Sequence, residues 1–273
     1  MENTDWKDGL VLERIMERLQ TEILGRRIIL LETVDSTSSY LREMEDAPDG
    51  TVVIAGSQTG GRGRMGRSFY SPREGGIYLS VLLKNTGGGF PTDLITVAAA
   101  LAIRKALLET TGTEADLKWV NDIYLRGYKI GGILTEGTFD MKNGMLREIV
   151  IGCGLNLNTE DFPSELEDIA SSLYRLTGRR QDPHAVIAAL LNNLEKYLER
   201  IGSDPEGVLA EYRRHLLYLG EEITVTSYGK TVKGILKDIN EKGNLILETQ
   251  EEGTGERKDM VLSSGEISIR GAR

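Results

Sequence analysis

One cysteine and two histidines in 273 residues leave no material for a disulfide framework or a zinc cluster. A chain this long needs neither, because one large domain, or one large and one small, buries a full apolar core. The lone thiol suits a reducing compartment, so a cytoplasmic location is expected. Long apolar runs are missing too, and none approaches the ~20 residues that span a bilayer. The opening MENTDWKDGLVLERIMERLQ lacks the basic, apolar and small-residue progression of a secretory signal, and the chain reads as soluble and untargeted. Positive charge is in deficit: 33 Lys and Arg against 42 Asp and Glu give a net charge of −9. That excludes a surface attracting nucleic acid or anionic lipid everywhere, so any anion site must be local. No internal repeat is present.

Glycine is in excess, 32 residues, well above the roughly 7% of average usage. The glycines gather at 60–66, 75–76, 87–89, 131–132 and 152–154, as expected for turns and close backbone approaches rather than a low-complexity tail. Leu10, Leu12, Ile15, Met16, Leu19 and Ile23 recur at helical spacing and predict one amphipathic helix over 9–24. A single helix is too little for a DNA-binding domain. IILLETVDSTSSYLREM predicts a strand, a polar turn and a helix capped by Ser36 or Thr37. TVVIAGSQ and GGIYLSVLL predict two further strands, and the Ala-rich apolar segment 92–111, stopped by Gly112, predicts a helix buried against a sheet. ADLKWV, YKIGGILTEGTF and REIVIGCGLNL read as three more strands with turns at Arg126-Gly127 and Asn143-Gly144. Two Asp-Pro pairs, at 182–183 and 204–205, each introduce a helix. After Gly220 the pattern alternates in period two with frequent turns, which predicts a small barrel-like all-β module. The fold class is therefore α+β: a mixed sheet covered by helices over 1–218, then a β-module over 219–273.

Chemistry concentrates in three places. SQTGGRGRMGRSFYSP, residues 57–72, is a glycine-rich loop carrying Arg62, Arg64 and Arg67 between two apolar strands. Its backbone N–H groups can surround an oxyanion and its guanidinium groups can bind one bidentately. No Lys-Ser/Thr follows at P-loop spacing. Taken alone, the run fits a solvated loop, an RGG-like RNA contact or a site loop, and its place between buried strands favours the last. Lys118-Trp119-Val120-Asn121-Asp122 ends a strand, where alternation puts Lys118 and Val120 on one face and Trp119 and Asn121 on the other. Lys129 precedes Ile130-Gly131-Gly132-Ile133-Leu134 and projects from a half-buried strand, as a surface lysine or as an anion ligand. In GCGLNLN, the glycines flanking Cys153 leave room for a ligand or a crossing backbone, and Asn156 follows. Cys153 reads as a small core residue rather than a nucleophile, and His184 and His215 read as surface.

DSTS at 35–38, SQTGGRGRMGRSFYSP at 57–72, KWVNDIY at 118–124, YKIGGILTE at 128–136 and IGCGLNLN at 151–158 occur in the order found in biotin protein ligases, which this chain resembles from about residue 30 onward. The terminal GEISIR resembles the end of that family's C-terminal domain. The likeness is to the short, monofunctional form, because the first thirty residues cannot hold the winged helix that makes some members repressors. It implies a class II aminoacyl-tRNA-synthetase-like catalytic domain with an SH3-like C-terminal barrel, acting with ATP and Mg²⁺ on biotin to give biotinyl-5′-AMP and pyrophosphate. The biotinyl group then passes to one lysine of a carboxylase carrier domain.

By motif match, the resemblance implies that Ser36, Thr37, Ser38 and Gln58 hold the biotin ring, with Arg62, Gly63, Arg64, Lys129, Gly131 and Gly132 completing the biotin site. Arg64, Arg67, Phe69, Lys118, Trp119, Asn121, Lys129 and Asn156 are assigned to the adenylate. Arg62, Arg64, Lys118 and Lys129 are the cations that offset anion repulsion, and Asp122 is assigned as acceptor or orienter of the proton that the carrier lysine gives up. No metal-ligating set is assigned. Val120 stands where the family usually has Pro, Ser38 where it often has Asn, and Phe69 where it often has Trp. A homodimer is expected, with no DNA or membrane partner. A lipoate ligase shares the fold and chemistry but lacks the GRGRxGR signature. A nucleic-acid binder using the arginine loop is opposed by the net charge, and a biotin-binding scaffold without turnover by the retention of Lys118 and Lys129.

Overall fold

In the computed structural model, residues 9–73, 75–84, 91–140, 142, 144–227, 229–250, 256–263 and 265–268 are described. The glycine cluster 87–89, Asn143 and the last two residues of GEISIR lie outside them. Seven strands, β1 (Ile28–Leu31), β2 (Val52–Ala55), β3 (Gly76–Lys84), β4 (Asp116–Lys118), β5 (Asp122–Leu125), β6 (Tyr128–Phe139) and β7 (Leu146–Asn156), form one sheet in the order β1-β2-β3-β7-β6-β5-β4. β1 and β2 are parallel and every other neighbouring pair is antiparallel. The central strands are apolar on both sides because both faces are covered. Val52, Ile54, Leu79, Val81 and Ile151 face α3 (Ile95–Thr111) and α5 (Pro183–Ser203). The alternate residues Val53, Leu82 and Val150 face Leu41 of α2 (Thr37–Glu43).

The caps form as the sequence predicts. Ser36 accepts a hydrogen bond from the Ser39 N–H, and Asp182 and Asp204 cap α5 and α6 (Pro205–Arg214) through the His184 and Gly207 N–H groups. Gly112 ends α3 at φ 69°, the left-handed position that glycine adopts without a Cβ penalty. α4 (Leu173–Thr177) is a single short turn.

The expected helix over 9–24 is only partly there: α1 covers Leu12–Met16. Beyond it α5 captures the backbone donors that a helix would use. Asn192 Oδ1 accepts the Gln20 N–H at 2.7 Å, and the Glu195 carboxylate accepts those of Ile23 and Leu24 at 3.0 and 2.7 Å and that of Glu22. Competition for these N–H groups by side chains distant in sequence outweighs helical periodicity. His184 is also not on the surface. It is buried, with Nε2 accepting the Val11 N–H at 3.0 Å and Nδ1 facing Asp182 Oδ1 at 3.0 Å. His215 is partly buried. The run read as a single strand through Val120 breaks after Lys118: Trp119, Val120 and Asn121 form a tight turn, with a cis Trp119–Val120 peptide bond, and Asp122 begins β5 opposite Lys118.

The C-terminal segment forms β8 (Glu222–Ser227), β9 (Lys230–Ile239), β10 (Leu245–Gln250), β11 (Arg257–Leu262) and β12 (Glu266–Ser268) in the antiparallel order β11-β10-β9-β8-β12. This is the α+β architecture expected, a mixed helix-covered sheet followed by a small β-module. Two contacts tie the sheets together. The Trp119 indole N–H donates to the Gly243 carbonyl at 2.9 Å, and Arg213 binds Asp238 Oδ1 at 2.6 Å and the Ile239 carbonyl at 2.8 Å.

Replacing His184 with Ala leaves the partly buried Val11 N–H without its acceptor. Urea denaturation is expected to show a loss of about 1–3 kcal/mol, the usual cost of such an orphan.

Candidate active site

A cleft opens on the sheet where three strands give up their side chains. Leu79, Cys153 and Ile133 are register neighbours on β3, β7 and β6 and line its floor, next to Gly132, Gly152 and Gly154. A Cβ on Gly154 would lie 2.6 Å from the Phe69 ring, and one on Gly152 would lie 2.7 Å from Ser38 Oγ. Glycine here lets a loop and a helix approach the strand backbone.

One wall is a hydroxyl and amide network at the start of α2. Gln58 Oε1 accepts the Thr37 N–H at 2.9 Å and its hydroxyl at 3.2 Å, while Gln58 Nε2 donates to Ser71 Oγ at 2.9 Å. Thr37 and Ser38 both meet Ser80 Oγ, at 2.8 and 2.9 Å. Buried neutral donors and acceptors held this way suit a polar uncharged head group. The opposite wall is charged. Lys129 Nζ lies 2.6 Å from Asp122 Oδ1, an ion pair without the alignment of a hydrogen bond. Lys118 Nζ lies 3.3 Å from the Tyr124 hydroxyl and 5.0 Å from the centre of its ring.

The glycine/arginine loop covers the cleft as a small closed structure. The Phe69 N–H donates to Gly61 O at 2.9 Å, the Gly63 N–H to Arg67 O at 2.7 Å, and Arg62 bridges Ser68. Arg64 Nη1 reaches Asn121 Oδ1 at 3.2 Å, so the loop is fastened to the charged wall. Arg62 points its guanidinium at Glu136 Oε1, 3.0 Å away.

The lining unites Ser36, Thr37, Ser38, Gln58, Arg62, Gly63, Arg64, Arg67, Phe69, Lys118, Trp119, Asn121, Asp122, Lys129 and Gly132. Two expected residues are not on it. Gly131 lies against the Gly154 carbonyl and serves the approach of β6 to β7. Asn156 sits two residues beyond Gly154 on the same side of β7, buried, with an Oδ1 that finds no hydrogen-bond partner among the described residues. Trp119 borders the cleft, but its N–H is spent on Gly243. Met65 and Leu134 of the lining were not singled out from sequence, nor were Gly265 and Ile267, which β12 and the residue before it bring from the C-terminal module. Both fall in GEISIR, a segment marked by the family resemblance, though no site role was assigned to it.

A glycine-opened sheet with an arginine-bearing flap, joined to a small β-module, is the architecture expected of the class II synthetase-like ligases that the sequence resembles. Residues 30–156 match the model of the Biotin/lipoate A/B protein ligase family, and residues 218–270 match the Biotin protein ligase C terminal domain. The chain is 34% identical over 238 residues to the bifunctional ligase/repressor BirA of Bacillus subtilis, covering 85% of this chain and 73% of that one. It is 32% identical over 227 residues to the biotin--[acetyl-CoA-carboxylase] ligase of Mycobacterium tuberculosis, covering 80% and 79%. The biotin protein ligase of Aquifex aeolicus in complex with biotin and ATP superposes with a TM-score of 0.77 at 31% identity, covering 89% of this chain and 99% of that one. The chain belongs to the biotin protein ligase family.

Cys153 is 3% exposed, and burial pushes its thiol up to about 12. At pH 8 about one molecule in 10⁴ then carries a thiolate, the reactive form. Iodoacetamide at that pH is expected to leave the folded protein unlabelled and to modify Cys153 once urea unfolds it, as read by mass spectrometry.

Proposed function

We infer that this chain activates biotin with ATP and then transfers the biotinyl group to one lysine of the carrier domain of a biotin-dependent carboxylase. The observation that carries this reading is the arginine loop fastened by Arg64 to Asn121 in the same cleft as the Lys129–Asp122 pair. In the first step a biotin carboxylate oxygen attacks the α-phosphorus, the bond to the bridging oxygen breaks, and pyrophosphate leaves. Two anions must meet, and Arg64, Lys118 and Lys129 supply fixed positive charge around the meeting point. Among the described residues no three His, Cys, Asp or Glu side chains gather into a metal site. Mg²⁺ carried by ATP would offset phosphate charge at this wall, beside the positive charge that Arg64, Lys118 and Lys129 supply. The hydroxyl wall of Thr37, Ser38 and Gln58 receives the neutral ureido ring, and Phe69 and Asn156 lie toward the nucleotide.

The product is a mixed anhydride that water would hydrolyse, so the loop must stay down between the two steps. In the second step the carrier amine attacks the biotinyl carbonyl and AMP departs with the carbonyl–oxygen bond electrons. A lysine ammonium with an ordinary pKa near 10.4 has to lose a proton first. Asp122 takes it, once Lys129 has turned from Asp122 to the adenylate oxygens. The catalytic unit comprises residues 1–218 and the β-module residues 219–273, and the protein works in the cytoplasm as a homodimer without a DNA-binding role. No helix among the described residues is long and apolar enough to cross a membrane.

Pyrophosphate release with Mg-ATP is expected with biotin and not with lipoate, followed by a one-biotinyl mass gain on an added carrier domain. Release with lipoate alone would overturn the reading. Lys129→Ala is expected to slow adenylate formation about 10²-fold or more with an unchanged melting temperature. Asp122→Asn should instead slow transfer from preformed adenylate, measured in single turnover, and leave pyrophosphate release nearly intact.

A further inference from the structure

We propose that Glu136 is a positioning residue: through Arg62 it pins the glycine/arginine loop shut, and so sets how much activated intermediate reaches the carrier lysine rather than water. The inference rests on the ligase reading above for the fate of the intermediate, but the pin itself stands on geometry alone.

Glu136 lies on β6 beyond the cleft, opposite Val150 in register and on the side of the sheet that α2 covers. It does not line the cleft. Its Oε1 receives Arg62 Nη2 at 3.0 Å and Arg42 Nη1, from α2, at 3.4 Å. Glu136 Oε2 and Arg42 Nε are both buried without a hydrogen-bond partner among the described residues. This carboxylate is therefore short of donors. Arg62 makes its one close contact, and withdrawing Arg62 would leave a largely buried charge held by a single long bond, which is costly. The loop inherits that resistance to opening.

Where Arg62 sits makes the pin effective. It is bridged to Ser68 on the opposite limb, and the neighbouring bonds Phe69 N–H to Gly61 O and Gly63 N–H to Arg67 O close the loop on itself. Holding Arg62 thus holds both limbs, including Phe69 against Gly154 on the floor. Arg62 acts as the fastening of the flap, and the phosphate charge falls to Arg64, Lys118 and Lys129.

Two readouts test this on Glu136→Gln, which keeps the side chain's shape and removes its charge. In ligand-free protein, tryptic cuts after Arg64 and Arg67 are expected to appear about fivefold faster, because cleavage tracks the open population. Arg42→Gln, which leaves the Arg62 contact in place, should cut at the wild-type rate. With biotin, Mg-ATP and carrier, AMP formed per carrier biotinylated should rise at least about twofold, as intermediate escapes through the loosened loop. Glu136→Gln in an Arg62→Ala background should add nothing further to either readout.

A wild-type cutting rate in Glu136→Gln overturns the pin, as does an additive effect in the double variant, which would place the action of Glu136 on Arg42 and α2. A lowered melting temperature with cuts spread along the chain overturns it as well. Wild-type protein inert toward biotin and ATP sinks the ligase reading and the retention role with it, while the proteolysis result still judges the pin.

Discussion

Repulsion between a carboxylate and a triphosphate is the constraint around which this molecule is arranged. Fixed cations overcome it only where water is scarce, because solvent screens charge and also destroys the product. The sheet answers the first need with a charged wall, Lys118 at the end of β4 and Lys129 near the start of β6. The loop over Gly61–Phe69 answers the second. Both depend on the missing side chains at Gly132, Gly152 and Gly154, since any Cβ at 154 would strike Phe69 and hold the loop up. The acidic surface fits the same logic: the net charge of −9 repels anions in general, and attraction is confined to one cleft.

The site uses neutral and ionic recognition in separate places. At the start of α2 the polar atoms are hydroxyls and an amide that satisfy one another, so a neutral ligand exchanges equivalent bonds at little cost. On the far wall every cation already has an anionic or π partner within the protein, Asp122 for Lys129 and Tyr124 for Lys118. Substrate binding there is an exchange of partners rather than the filling of empty charge.

Local rules were legible in the sequence. Ser36, Asp182, Asp204 and Gly112 cap their helices because each cap depends only on nearby residues, and the glycine/arginine loop could be placed between two strands for the same reason. The motif blocks brought nearly the whole cleft lining with them. What escaped depends on contacts distant in sequence. Residues 17–24 lose their helix to side chains of α5 more than 170 positions away, and His184 is drawn inward by the Val11 N–H. β5 was hidden because alternation was carried through Trp119 and Val120, where the chain in fact turns. The indole N–H of Trp119 went to a carbonyl in the β-module that no periodicity could point to.

The rim supplied by Gly265 and Ile267 has a consequence for synthesis. Translation delivers the hydroxyl wall, the flap and the lysines early, but a nascent chain that has not passed Ile267 has a gap where β12 would stand. Until that late strand docks beside β8, the pocket has no complete edge. The polypeptide can thus fold most of its catalytic sheet on the ribosome without yet owning a chamber in which a reactive mixed anhydride could be made and lost.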